Sequence, residues 1–294
     1  MGFIDRLSVI CFAGTYGLAL AAELARFVVR APARWYAAAG LTALAWLVQT
    51  AYLANLAMKS PMAPVASEFG SMMLLSWIVG VVGLYWMLRS ARGVAVGIFV
   101  LPMVLALVMG AGWFASRDPG WMEVGGRVAF WGAVHGIFLL GGAVFTSLAF
   151  FAGLMYLAQM RRLKRKRPSR TGLALPSLEQ SERINQVAIT IAFPLLTFGL
   201  LIGVILSLSA ADDATAHAIR WTDPKVLSAL GMWLVFAGAL HARFRPDWRG
   251  RRMMILTIVA FGLLVFTWVG VVALRLPTAH GSMTSAGAGR VATP

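Results

Sequence analysis

Eight apolar stretches recur along the 294-residue chain, most of them about the 20 residues that a membrane-crossing helix needs. They lie near residues 6–25, 36–57, 70–88, 94–114, 128–159, 187–210, 226–242 and 253–275. At roughly 1.5 Å per residue, such stretches cross about 30 Å of hydrocarbon as helices. Only helices satisfy their own backbone in lipid without closure of a barrel. With 60% of residues hydrophobic and 13% charged, the chain carries more apolar sequence than a soluble core requires. The expected fold is all-α: a polytopic membrane bundle of about eight transmembrane helices, forming a single domain over residues 1–275. The fifth stretch is overlong, so it tilts or projects into water. The first runs directly into further spans and reads as a retained helix rather than a cleaved leader. The tail at 276–294 is expected to be flexible beyond 281, where Gly, Ser, Thr and Ala dominate.

Basic residues orient the bundle, because Lys and Arg accumulate in short cytoplasmic loops. Arg26, Arg30 and Arg34 follow the first span, and Arg89 and Arg92 follow the third. Arg161, Arg162, Lys164, Arg165, Lys166, Arg167, Arg170 and Arg183 follow the fifth, and Arg243, Arg245, Arg249, Arg251 and Arg252 follow the seventh. This puts 18 of the 26 basic residues on one side, so both termini are expected to be extracytoplasmic. The setting is a multi-pass protein of the cell's inner, cytoplasmic membrane, with the lipid bilayer as its first partner. The formal charge of +15 raises nucleic acid as an alternative, but the cluster at 161–170 abuts a span and has no interleaved aromatics. It reads as a loop facing anionic lipid, and no nucleic-acid partner is expected.

Chemistry must come from the few polar groups. The single cysteine, Cys11, excludes an internal disulfide or a cysteine-based metal site and is expected to pack within the first span. No Gly-rich phosphate loop, His/Glu zinc pattern or Ser-His-Asp set occurs, so no catalytic residue is assigned. Glu23 stands three residues before Arg26, the spacing of a helical ion pair. A proton relay is the functional alternative for this carboxylate, which has no acidic companion within the spans.

Four histidines remain. His135 sits about 10 Å below the outer surface of the fifth span, His280 follows the eighth on the same side, and His217 is in the outer loop before the seventh. His241 lies at the inner end of the seventh, a full span away from His280. His135 and His280 can therefore share a site, and two neutral imidazoles on separate helices suit axial ligation of haem iron. Packing at a helix end is the plainer reading of each. Trp113, Trp121, Trp131 and Trp221 on the outer side also fit an interfacial aromatic belt.

Several sequence blocks bear on that choice. Trp221-Thr222-Asp223-Pro224-Lys225, Trp233-Leu234-Val235, Leu240-His241-Ala242-Arg243, Trp248-Arg249-Gly250-Arg251-Arg252 and Phe266-Thr267-Trp268-Val269-Gly270-Val271 follow one another. Upstream, His135 opens a long span ending Met155-Tyr156-Leu157-Ala158-Gln159. A Lys/Arg run follows, then Leu175-Pro176-Ser177-Leu178-Glu179 and Phe193-Pro194-Leu195-Leu196-Thr197-Phe198-Gly199. With Glu68 and Ser76-Trp77, these blocks resemble the CcsA/ResC family of cytochrome c assembly proteins, including its HemX/YpjD branch, over about 65–290.

The resemblance implies that His135 and His280 ligate haem iron at an outer site and that His241 ligates it at a membrane site. It also brings Trp221 and Asp223 to a tryptophan-rich loop beneath the haem edge. Arg220 and Lys225 beside them can pair with propionates. The family loop reads approximately Trp-Gly-x-Tyr-Trp-x-Trp-Asp-Pro-Lys-Glu. Here Ala216, His217, Ile219, Arg220 and Thr222 occupy its aromatic and glycine positions, and Val226 replaces its glutamate. Asp223-Pro224 also suits a helix start, with Pro at the first helical position.

The implied function is presentation of haem b, as a transported or presented substrate, for covalent attachment to apocytochrome c. The chain would then be a subunit of a holocytochrome c synthase (haem lyase) alongside a CcsB/ResB-like membrane protein. The alternative is a HemX/YpjD-like non-catalytic regulator or scaffold of haem metabolism. A small-molecule permease would need discontinuous helices facing a midplane charge, a pattern absent from the sequence.

Overall fold

The computed structural model describes residues 3–27, 33–59, 68–89, 96–115, 127–165, 175–211, 224–242 and 250–267. Among them stand α1 (Phe3–Leu24, followed by a 3₁₀ turn at Ala25–Phe27), α2 (Ala33–Lys59), α3 (Glu68–Arg89) and α4 (Val96–Ala115). Then come α5 (Arg127–Lys164), α6 (Leu178–Ala211), α7 (Pro224–Ala242) and α8 (Arg251–Val265). One helix occupies each expected span, and no strand occurs among the described residues. Five helical segments, Val9–Phe27, Arg34–Lys59, Phe69–Arg89, Phe130–Lys164 and Leu178–Leu206, are long and apolar enough to cross a membrane; Val96–Gly112 and Val226–Ala242 are apolar but shorter. The chain is a polytopic helical membrane protein. The tail at 276–294 lies outside the described residues.

Local chemistry explains where the helices depart from the apolar stretches. α6 starts at Leu178 rather than near 187, because Ser177 caps it: the backbone N–H of Gln180 donates to Ser177 Oγ at 3.1 Å. Its first turns are polar and so escape hydropathy. α5 runs for 38 residues, ending in Arg161, Arg162 and Lys164. At about 1.5 Å per residue it exceeds the hydrocarbon thickness, as expected. Cys11 departs from expectation: it is exposed on the outer face of α1 instead of packed. Its apolar thiol needs no partner on a lipid-facing surface.

The helices form two four-membered rings. In the first, α1 packs on α2, α2 on α3, α3 on α4, and α4 closes on α1; in the second, α5 packs on α6, α6 on α7, α7 on α8, and α8 closes on α5. Short connections favour antiparallel neighbours of this kind. The rings meet where α3 and α4 touch α5.

Glycines permit the closest approaches. A Cβ added at Gly142 on α5 would lie 2.5 Å from Leu196 Cδ2 on α6, and one at Gly83 on α3 would lie 2.5 Å from Val100 Cγ1 on α4. Lipid tails are as apolar as Leu, so such packing and buried hydrogen bonds must drive association. In the first ring, Tyr16 donates to Gln49 Oε1 at 3.0 Å, while Gln49 Nε2 donates to Ser76 Oγ at 2.7 Å and to the Met73 carbonyl at 3.2 Å. In the second, Asn185 Nδ2 donates to the Ala149 carbonyl at 2.8 Å and to Thr257 Oγ1 at 3.1 Å. Trp233 Nε1 donates to Thr197 Oγ1 at 2.8 Å, joining α7 to α6.

Large apolar side chains also face outward. On α6, Val187, Ile191, Phe198, Leu201, Ile205 and Leu208 make an exposed stripe at helical spacing. Between the rings lies a cavity of about 420 Å³, bordered by Met72, Phe99, Pro102, Phe150 and Phe261 among other apolar side chains. Its described lining carries no imidazole and no charged group, the thioethers of Met72 and Met103 being the donors it could offer to iron.

Candidate functional site

Of the candidate haem-binding residues, the described ones, His135, Lys225 and His241, lie on helices of the second ring. The best-defined is His135, on the third turn of α5 and half-buried. Its Nδ1 lies 2.8 Å from the backbone carbonyl oxygen of Gly199 on α6. A carbonyl only accepts, so Nδ1 carries the hydrogen and Nε2 is the lone-pair nitrogen of the neutral ring. Metal-binding histidines are commonly oriented this way, with the second ring nitrogen donating to a backbone carbonyl.

The ring fits because α6 is bare beneath it. A Cβ at Gly203 would lie 2.8 Å from His135 Cε1 and 3.2 Å from its Nδ1. One turn earlier, a Cβ at Gly199 would lie 2.6 Å from Leu139 Cδ2. His135 and Leu139 on α5 thus enter hollows at Gly203 and Gly199 on α6. Deeper along the seam the roles reverse, and Leu196 of α6 enters the hollow at Gly142 of α5. Sequence reasoning did not identify Gly203 as supporting His135. The four-residue spacing of Gly199 and Gly203 was the available signal, since small residues at that interval mark close helix contacts. Trp131, one turn outward of His135, is exposed and makes an edge contact with Phe130 at a centroid distance of 5.6 Å.

His241 is placed differently. It is exposed near the end of α7, on an outward stripe with Leu227, Leu230, Leu234 and Gly238. Arg161, Arg162 and Lys164 at the end of α5 and Arg251 and Arg252 at the start of α8 belong to the same basic end of the ring. His135 belongs to the opposite end, so the structure separates these two histidines as the sequence implied. The side chain of His241 faces out of the ring, available to a neighbouring molecule rather than to α5.

α7 begins at Pro224, the helix start anticipated from Asp223-Pro224, and Ser228 Oγ donates to the Pro224 carbonyl at 2.7 Å. Thr267 at the far end of α8 donates to Ser228 Oγ at 2.8 Å, tying that helix start to α8. Lys225 is the second residue of α7. His280, His217, Arg220, Trp221 and Asp223 lie outside the described residues.

A family model described as "Cytochrome C assembly protein" matches residues 65–276. The chain belongs to the cytochrome c assembly protein family. The match covers most of the chain and contains α3 to α8 whole, leaving α1 and α2 outside it. Relatives named "Cytochrome c biogenesis protein CcsA" include one from Thermosynechococcus vestitus, 37% identical over 107 residues, 35% of this chain and 32% of that protein. One from Synechococcus elongatus is 39% identical over 102 residues, 34% of this chain and 30% of that protein. Another, from Trichormus variabilis, is 38% identical over 104 residues, 35% of this chain and 27% of that protein. The chain thus spans about a third of the length of these curated relatives. No solved structure matches the chain. Family membership gives the geometry at His135 a chemical context, because the assembly of c-type cytochromes concerns haem.

Proposed function

We propose that this protein handles haem in cytochrome c biogenesis, holding haem b as a transported or presented substrate at the extracytoplasmic face for attachment to apocytochrome c. The observation that carries the reading is the His135 ring, oriented by the Gly199 carbonyl and held over Gly203 so that Nε2 is the coordinating nitrogen. His280 is the second outer ligand. Trp221 and Asp223 form part of the haem-edge loop, while Arg220 and Lys225 meet the propionates.

In this reading the chain is a single inner-membrane domain over 1–275, with both termini and the tail at 276–294 outside. The protein orients and ligates the macrocycle, and the thiols of the apocytochrome form the covalent bonds. His241 contributes to a second haem position within the membrane, where its outward stripe meets a CcsB/ResB-like partner supplying another ligand. The exposure of His241 supports that role.

One observation favours a second reading, a HemX/YpjD-like regulator or scaffold. The loop before α7 has Ala216, Ile219 and Thr222 where the family platform has aromatic or glycine residues. Deleting the gene and staining membranes for covalent haem separates the two. A haem presenter is expected to leave apocytochromes unloaded, with recovery by the wild-type chain and none by His135→Ala. Normal c-type staining in the deletion would overturn the first reading.

A further inference from the structure

The first ring contains a charged cluster that the haem reading does not use. Glu23, near the end of α1, and Arg26, in the 3₁₀ turn that follows, form an ion pair at 2.8 Å, with both side chains almost completely buried. Glu23 lies against the first turn of α4, where a Cβ at Gly97 would be 3.0 Å from its Cγ. Arg34, the second residue of α2, is near enough to act electrostatically on both. Among the described residues, its buried Nε and Nη1 find no acceptor, and Glu23 Oε2 receives no donor. The cluster therefore joins α1, α2 and α4 at the basic end of the bundle. It lies largely outside residues 65–276.

The neighbouring sequence supplies little acid to neutralise this site. Glu23 is the only acidic residue between Asp5 and Glu68, while Arg26, Arg30 and Arg34 all belong to the connection it borders. Arg89 and Arg92, in the neighbouring connection, add further positive charge and no acid. One carboxylate does not fully match the buried Arg26 and the partly buried Arg34 guanidinium groups, and an unmatched charge removed from water is costly. Arg34 thus presents buried N–H donors and an uncompensated charge together. An anion with oxygen acceptors at headgroup depth satisfies both, and guanidinium suits phosphate oxygens. Basic hollows between helices at the cytoplasmic side take lipid headgroups of this kind.

We propose that Arg34 and Arg26, with Glu23 limiting the net charge, form a phosphate-binding site at the basic ends of α1 and α2, suited to the headgroup of an anionic phospholipid. The competing arrangement is internal, with Arg34 closing on Glu23 Oε2. The two predict opposite responses to loss of Glu23. A phosphate site becomes more positive and binds more tightly, whereas an internal ion set falls apart.

The test uses the full chain in phosphatidylcholine nanodiscs doped with phosphatidylglycerol, with retained lipid read by native mass spectrometry. Wild type is expected to retain phosphatidylglycerol over phosphatidylcholine. Arg34→Gln should weaken that retention roughly ten- to a hundredfold, the span of one hydrogen bond to a charged group. Arg34→Lys, which keeps the charge, should retain part of it, and Glu23→Gln should match or exceed wild type. Millimolar inorganic phosphate supplies the other arm: competition with phosphatidylglycerol on wild type, but not on Arg34→Gln, would support the phosphate site with a free ion as its ligand. Equal retention by wild type and Arg34→Gln, or equal loss in Glu23→Gln and Arg34→Gln, would overturn the proposal.

Discussion

Nδ1 of His135 on α5 lies 2.8 Å from the carbonyl oxygen of Gly199 on α6, and Gly203, one turn further along α6, leaves the ring no spare room. The donor, the acceptor and the hollow together fix both the position of the ring and the nitrogen that carries its hydrogen.

Gly203→Ala tests this support directly. The new Cβ would lie 2.8 Å from Cε1 of the ring, so the imidazole must shift. Overpacking of this kind costs about 1–3 kcal/mol. Bound haem is expected to fall and its Soret maximum to move, while Gly203→Ala adds little in a His135→Ala background because the two act on one contact. Unchanged spectra in Gly203→Ala would contradict the supporting role.

Gly250, which precedes α8, has two separate reasons to be glycine. Its φ of +74° lies in a region that disfavours side chains, and a Cβ there would lie 2.8 Å from the Tyr156 hydroxyl. Gly250→Ala is expected to destabilise the protein by about 1–3 kcal/mol, seen as a lower unfolding midpoint in detergent. Adding Tyr156→Phe should recover only the part due to the hydroxyl. Full recovery would show that the backbone conformation carries no cost.

The first ring can be weakened without touching the candidate ligands. Gln49→Leu removes the acceptor of the buried Tyr16 hydroxyl and a donor to Ser76. Leaving such groups unsatisfied costs roughly 1–3 kcal/mol. Thermal unfolding should therefore occur earlier, while haem per folded chain stays at the wild-type level. A proportionate loss of haem would show that the two rings act as one unit at the site.

Orientation is open to single-cysteine labelling, since Cys11 is the only native cysteine. In a Cys11→Ser background, an impermeant thiol reagent added to intact cells should modify Trp121→Cys and leave Lys166→Cys untouched. The reverse pattern would invert the assigned topology and place His135 at the cytoplasmic end.

The helices were legible because lipid imposes long apolar runs, and each of α1 to α8 falls on one. The start of α6 was not, since the turns from Leu178 onward are polar and their helix depends on the Ser177 cap rather than on hydropathy. The Glu23–Arg26 pair could be read from its local three-residue spacing, and the 2.8 Å contact bears it out. Arg34 was not linked to that pair, because its proximity arises from tertiary packing. The same limit applied at His135. Its residue type and depth were legible, but the Gly199 carbonyl is 64 residues away in sequence and invisible to any local pattern. Closure of the chain into two rings was equally hidden, since α1 with α4 and α5 with α8 are contacts that no connection length specifies.

Haem content measured as pyridine haemochrome on the full chain, purified in detergent from haem-replete cells, tests the central claim most directly. The account predicts that wild type carries haem, that His135→Ala loses most of it, and that His135→Ala combined with His280→Ala loses all of it. Imidazole in the buffer should restore a Soret band to the His135→Ala protein by standing in for the missing ring. Wild-type haem content in the doubly substituted protein would contradict the account.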